Sequence, residues 1–280
     1  MPKAKFYSSQ IAKTRLRFLS MTSLLFILFF SPTSFAELSP NNSYQEGIRL
    51  MQDEKYAEAA TVFEKEFKSG KNFATLFFNW GLSAYKLQKR GLALALWRRA
   101  LYIEPSLSAS RQAISFISTE LSRESSAEEQ GGWYYFRASI LDRASLNTFL
   151  FFSWLPFIVS GFLLIRYFGA KRNALKSEQL LPKFPVTGVI CAAVFIVSFF
   201  LTAAKAWSLT EPRATIINTS VSLRTGPSLE DNSIFDLMEG LDVTIRQAQN
   251  SWALITLNSG VSGWVPTSAL FQHAGRTPLW

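Results

Sequence analysis

Two runs of twenty uncharged residues, 146–165 and 185–204, constrain this 280-residue chain more than any other feature. At 1.5 Å per residue a helix of that length spans about 30 Å, the thickness of a bilayer's hydrocarbon core. Pro156, Gly161 and Gly188 fall inside the runs, and both residue types are tolerated in such helices. A buried core helix is the alternative for each run, but buried helices of soluble domains rarely go twenty residues without a charge. The runs are therefore read as transmembrane helices 1 and 2 of a hairpin. Cys191, inside the second, is a small apolar filler. As the single cysteine it excludes an intrachain disulfide and a cysteine-based zinc site.

The formal charge of +9 invites a nucleic-acid reading, which its distribution does not support. Residues 1–36 carry five basic and no acidic side chains, 37–165 fourteen and thirteen, 166–183 five and one, and 184–280 five and six. The excess lies beside apolar runs, the mark of membrane topogenesis and not of a basic groove, so no nucleic-acid partner is expected. Lys3, Lys5, Lys13, Arg15 and Arg17 precede an apolar stretch over 18–30. Pro32 then breaks the helix, and Ser34 and Ala36 offer a small-residue cleavage site. Residues 1–36 read as a secretory signal peptide, either cleaved after Ala36 or retained as an anchor. Export of the chain beyond residue 36, together with Arg166, Lys171, Arg172, Lys176 and Lys183, makes 166–184 a basic cytoplasmic loop and puts both large flanks outside. Residues 126–145 and 205–211 become linkers. Arg137, Arg143, Lys205 and Arg213 are spread thinly over the outer flanks, and Trp133, Tyr134, Tyr135 and Trp207 suit the outer interface.

Residues 37–125 repeat with a period of 34: Gly47 recurs as Gly81, Ala59 as Ala93, and Phe63 as Trp97. Small residues let paired helices approach, and the large one fills the space between them. The second copy adds Phe77, Ala100 and the closing Pro105. The pattern resembles the tetratricopeptide helix–turn–helix family. The first copy departs from it, with Ser43, Glu66 and Lys71 where the pattern has an aromatic residue, Ala and Pro. Helical periodicity through Ile114, Phe116, Ile117 and Leu121 predicts a capping helix. The resemblance implies a concave face carrying Tyr44, Ile48 and Met51 from the first copy and Phe78, Leu82 and Tyr85 from the second. Such a face takes an amphipathic or extended partner segment, or packs on the chain's own linker. Leu82 stands where a carboxylate-clamping repeat needs a polar residue, so capture of a C-terminal carboxylate is not expected.

From 212 to 273 the pattern changes to short β-rich runs at 214–217, 221–224, 234–237, 243–248, 252–257 and 263–266, which suggests a small all-β barrel. The run Val221-Ser222-Leu223-Arg224-Thr225-Gly226-Pro227-Ser228 resembles the opening of a bacterial SH3-like domain. Leu237, Gly240, Trp252, Gly263 and Trp264 come after it as further landmarks of that domain. Members of that family bind cell-wall peptides, glycan or protein segments. Trp252 and Trp264 stand at landmark positions where core packing is the expectation, and Arg224 where a structural hydrogen-bonding residue is expected. Residues 274–280 form a tail.

No phosphate-cradling loop or dinucleotide fingerprint occurs. His273, the single histidine, lies far from any motif, which speaks against a histidine-centred triad or a multi-histidine metal site. No catalytic residue, cofactor or metal is expected. The fold class is a multi-domain membrane protein combining an all-α tetratricopeptide repeat, a two-helix transmembrane hairpin and an all-β SH3-like barrel. This order resembles the BatE-type proteins of the bacterial aerotolerance operon. That resemblance implies a non-enzymatic inner-membrane scaffold with both modules in the periplasm. Its partners would be the lipid bilayer and membrane-anchored von Willebrand A-type Bat proteins, in envelope or oxidative-stress tolerance. The alternative is an envelope sensor or anchor whose SH3-like domain holds murein while the repeats recruit a hydrolase or its regulator.

Overall fold

The computed structural model describes residues 42–122 and 132–275. The expected signal peptide and the end of the tail, 276–280, lie outside the described residues. Among the described residues five helices come first: α1 (Asn42–Gln52), α2 (Tyr56–Lys68), α3 (Ala74–Lys86), α4 (Arg90–Ile103) and α5 (Ser108–Ser122). Their packing follows from the small–large pairs in the sequence. A Cβ on Gly47 would lie 2.5 Å from the Phe63 ring, and one on Gly81 would lie 2.5 Å from the Trp97 indole. Only a glycine lets the second helix of each pair seat its large ring against the first. Phe63, Phe77, Ala93, Trp97 and Ala100 are buried with Ala59 in one continuous core. Two of the three departures in the first copy offset each other, because the Lys71 ammonium pairs with the buried Glu66 carboxylate. Ile117 and Leu121 of α5 enter the core, whereas Phe116 stays 60% exposed.

Much of the stretch expected to be a linker is helical. α6 (Gly132–Ser139) and a 3₁₀ turn (Leu141–Arg143) lead into α7 (Leu146–Lys176), which is followed by α8 (Val186–Thr210). Ser145 caps α7 by accepting from the Thr148 N–H at 3.3 Å. Both helices are long and apolar enough to cross a membrane, and most of their side chains face outward. They outrun the predicted spans. The basic residues Arg166 to Lys176 lie on the last turns of α7 and not in a loop, since charges do not end a helix. The next breakers are Pro182 and Pro185. Likewise 205–211 is not a linker but almost entirely the end of α8. Trp207 is 73% exposed there. Trp133 is also exposed, and the Tyr134 and Tyr135 side chains are outside the described ones.

The remaining residues form one antiparallel sheet: β1 (Arg213–Ile216), β2 (Ser220–Arg224), β3 (Ser233–Met238), β4 (Asp242–Gln249), β5 (Trp252–Thr256), β6 (Ser262–Pro266) and β7 (Leu270–Ala274). The strand order is β3-β2-β6-β5-β4-β1-β7. β7 is one strand more than the pattern predicted. The sheet is open, with β3 and β7 as edges, so the expected closed barrel is not met. Leu223, Leu237, Val243, Ile245, Ile255 and Val265 form its core. Gly240 turns the chain into β4 with φ +88°, a left-handed conformation that favours glycine. A side chain at Gly263 would meet Leu223, and one at Gly226 would meet Asp231. Arg224 organises the loop after β2, its Nη1 donating to the carbonyls of Leu229 (2.9 Å) and Asp231 (2.7 Å).

Candidate functional site

α1 and α3 carry Tyr44, Ile48, Met51 and Phe78, Leu82, Tyr85 at three- and four-residue spacings, which put each trio on one helical face. All six are half-buried on the helical core. Asn79 Nδ2 donates to the Tyr44 hydroxyl at 2.8 Å and ties the two helices together. The Tyr44 ring meets Phe73 edge-on at 5.2 Å. Tyr85 also packs toward its neighbouring helices. Its ring lies 6.0 Å from Trp97 of α4 and 6.0 Å from the exposed Phe116 of α5. Phe116 therefore extends the same apolar surface. A surface of this kind binds through apolar side chains of a partner, with hydroxyls at Tyr44 and Tyr85 to orient it.

The opposite side of the helical region is already occupied by the sheet. β1 and β7 pack on α4, and Phe271 of β7 inserts between Phe67 (6.2 Å) and Trp80 (5.9 Å). At Gly91 an added Cβ would lie 2.9 Å from the Ile216 carbonyl oxygen, so the first turn of α4 needs glycine to sit this close. The Gly91 N–H, unpaired within its helix, donates to Glu239 Oε2 at 2.9 Å. Arg98 Nη1 reaches across to Thr215 Oγ1 (2.8 Å) and the Gly240 carbonyl (3.0 Å). The Tyr102 hydroxyl donates to the Leu209 carbonyl at 2.9 Å, fastening the end of α4 to the end of α8.

Behind this contact lies a buried charge cluster that the sequence pattern did not reveal. Asp242 at the start of β4 accepts from Arg137 of α6 at 2.8 Å and lies 3.8 Å from Arg213. His273, expected to stand apart, is buried with Nε2 3.5 Å from Asp242 Oδ1 and Nδ1 3.1 Å from the Thr215 hydroxyl. Burial alone would raise the Asp242 carboxyl, but His273 and the guanidiniums of Arg98, Arg213 and Arg137 hold it well below the carboxylate range. Burial also drives the His273 ring well below its ordinary 6.5, with Asp242 opposing and the same guanidiniums adding to the shift. The ring is therefore neutral at pH 7, and the three guanidiniums are what stabilise the carboxylate there. Thr215, His273 and Asp242 follow the hydroxyl–imidazole–carboxylate order of a nucleophilic triad. That likeness carries no chemistry, since Thr215 is 0% exposed and its oxygen accepts from Arg98.

On the sheet, core packing of Trp252 and Trp264 is not met. The two-residue alternation turns Ala253, Ile255, Gly263 and Val265 inward and leaves both tryptophans half-exposed on the other face. Trp264 pairs in register with Leu254 and Arg224 there. Among the described residues no group of three or more metal-ligating side chains occurs. Comparison with protein-family models and with curated proteins finds no match to this chain.

Proposed function

We propose that this protein is a membrane-anchored adaptor that holds a partner on the α1–α3 face. In this reading the helix pairs are tetratricopeptide repeats and the sheet is a bacterial SH3-like domain. The hairpin crosses the bacterial inner membrane with both modules in the periplasm. The partners are membrane-anchored von Willebrand A-type Bat proteins, as the resemblance to BatE-type chains implies, and the setting is envelope or oxidative-stress tolerance. One observation carries the proposal. The sheet packs on α4, while the six side chains of α1 and α3 stay only partly buried and the 60% exposed Phe116 continues their surface beside Tyr85. An exposed aromatic ring beside a row of partly buried apolar side chains is the kind of surface that a partner covers. The sheet is tied to the repeats by Arg98, Glu239 and Phe271, so the two modules are presented to a partner together and not as independently tethered heads.

Affinity capture of the detergent-solubilised full chain tests this. Truncating two aromatic anchors costs about 2 kcal/mol or more, roughly a thirtyfold loss of affinity. Phe78→Ala/Tyr85→Ala is expected to stay folded and to lose a von Willebrand A-type membrane protein that the unaltered chain retains. Retention by the folded variant would move the partner site elsewhere. The half-exposed Trp252 and Trp264 favour a second reading, the murein-binding anchor. Sedimentation of the full chain with purified murein, lost in Trp252→Ala/Trp264→Ala, is the result that would support it.

A further inference from the structure

Six cations that stand far apart in the sequence line one cleft of about 300 Å³: Arg98, Arg111, Arg137, Arg143, Lys205 and Arg213. Only two carboxylates, Asp142 and Asp242, share that lining, and His273 is neutral. The two carboxylates are committed to several cations each. Asp242 serves Arg137 and Arg213, and Asp142 serves Arg137 at 3.5 Å and Lys205 at 3.6 Å. Donors and acceptors in the cleft are not matched. The buried Arg213 Nε has no hydrogen-bond partner, and neither does the acceptor Asp242 Oδ1, while the buried Lys205 ammonium pairs with Asp142 at 3.6 Å. The exposed Arg143 has neither an ion pair nor a hydrogen bond among the described residues. A cleft with this surplus of cations, with the buried Arg213 Nε and the exposed Arg143 left over, is complementary to an anion rich in oxygen acceptors.

The position of the cleft narrows the choice of anion. Arg143 lies just before α7, and Lys205 and Leu209 lie on the last turns of α8, so the cleft opens where two apolar helices end. One to three turns further along both helices is a second cavity, of about 350 Å³. It is lined by Leu150, Trp154 and Phe157 of α7 and by Phe195, Phe199 and Ala203 of α8, with almost no polar surface. A soluble anion would fill the first cavity and have no use for the second. A phospholipid carries its phosphate and its acyl chain at that separation and in that order.

We propose that the juxtamembrane cleft binds the phosphodiester headgroup of an anionic phospholipid, with an acyl chain in the apolar cavity between α7 and α8. This rests on the two helices crossing a membrane and not on the adaptor reading. Net charge selects the headgroup class, because a zwitterionic lipid would bring a further cation into a cleft that already holds six. Arg111 and Arg143, both exposed at the rim, admit the headgroup, and Lys205 and Arg213 complete its acceptors from within.

The test uses the full chain, delipidated in neutral detergent and titrated calorimetrically with short-chain phosphatidylglycerol, phosphatidylcholine or inorganic phosphate. Phosphatidylglycerol is expected to bind and phosphatidylcholine to bind far more weakly. Arg111→Gln/Arg143→Gln, with both sites at the exposed rim, is expected to lower phosphatidylglycerol affinity about tenfold or more through two lost charge-assisted contacts. Arg111→Lys/Arg143→Lys should restore much of it. Arg111 Nη2 also donates to the Pro105 carbonyl at 2.5 Å, an exposed bond whose loss should lower the unliganded melting temperature by only a few degrees. Ala203→Phe, which fills the apolar cavity, should weaken phosphatidylglycerol without changing the rim. Equal binding of both lipids, or unchanged affinity in the rim variant, would overturn the proposal. So would inorganic phosphate matching the lipid, which would make the occupant a soluble anion, or indifference to Ala203→Phe.

Discussion

Trp97→Ala tests how the helical region is held together. Trp97 is 2% exposed, its ring lies against Gly81, and its Nε1 donates to the Phe78 carbonyl at 3.2 Å. Deleting a buried tryptophan side chain costs about 3–5 kcal/mol through lost burial and the cavity left behind. For a folded region of this size that lowers Tm by roughly 6–20 °C. The close approach makes the sign of a second substitution depend on the first. In the native chain Gly81→Ala puts a methyl group 2.5 Å from the indole, and overpacking of this kind costs about 1–3 kcal/mol. In the Trp97→Ala background the same methyl meets empty space, and alanine gains up to about 1 kcal/mol over glycine in a helix. Gly81→Ala should therefore destabilise the native chain and leave the Trp97→Ala chain unchanged or more stable. Thermal unfolding of the full chain in mild detergent, followed at 222 nm, gives all four corners of the cycle. If the effects simply add, Trp97 and Gly81 are not the contact on which the pair is built. The corresponding pair Gly47 and Phe63 should show the same sign reversal.

The buried cluster predicts how stability depends on pH. His273 and Asp242 both have folded-state values below their unfolded ones, so the unfolded chain takes up protons more readily and acid destabilises. The His273 contribution is complete above about pH 6.5 and is lost as pH falls below it. The Asp242 contribution begins to be lost only below its ordinary 3.8. Stability should thus fall by up to about 1.4 kcal/mol per pH unit under pH 6.5, one proton's worth. His273→Gln should flatten that segment, whereas a Tm constant from pH 7.5 to 5.5 in the native chain would contradict the burial. For topology, alkaline phosphatase fused after Asn258 should be active and after Lys176 inactive. The reverse pattern would invert the hairpin.

Local spacing is the part of the fold that could be read from the sequence. Gly47 and Gly81 stand at fixed distances from Phe63 and Trp97, and such small–large pairs are legible without knowing the fold. The two apolar helices announce themselves by length, but their ends do not. Arg166 to Lys176 suggest a loop because they are charged, while a helix continues until its backbone is broken. Alternation along β5 and β6 already places Trp252 and Trp264 on the same side as Leu254, a signal that the family landmarks override. The charge cluster is beyond local reading. Arg98, Arg137, Lys205, Arg213, Asp242 and His273 meet only because the sheet docks on α4 and α6 folds back beside it. Gly91 and Phe271, which permit the docking, belong to no repeat or motif.

The adaptor reading is most directly tested by a photocrosslinking side chain placed at Leu82 in the full-length protein in living bacteria. A second chain with the crosslinker at the exposed Thr61 of α2 serves as control. Leu82 should yield a crosslinked product containing a von Willebrand A-type membrane protein, identified by mass spectrometry. Phe78→Ala/Tyr85→Ala should abolish it, and Thr61 should not give it. No such product from Leu82, or the same product in equal yield from Thr61, would contradict a partner on the α1–α3 face.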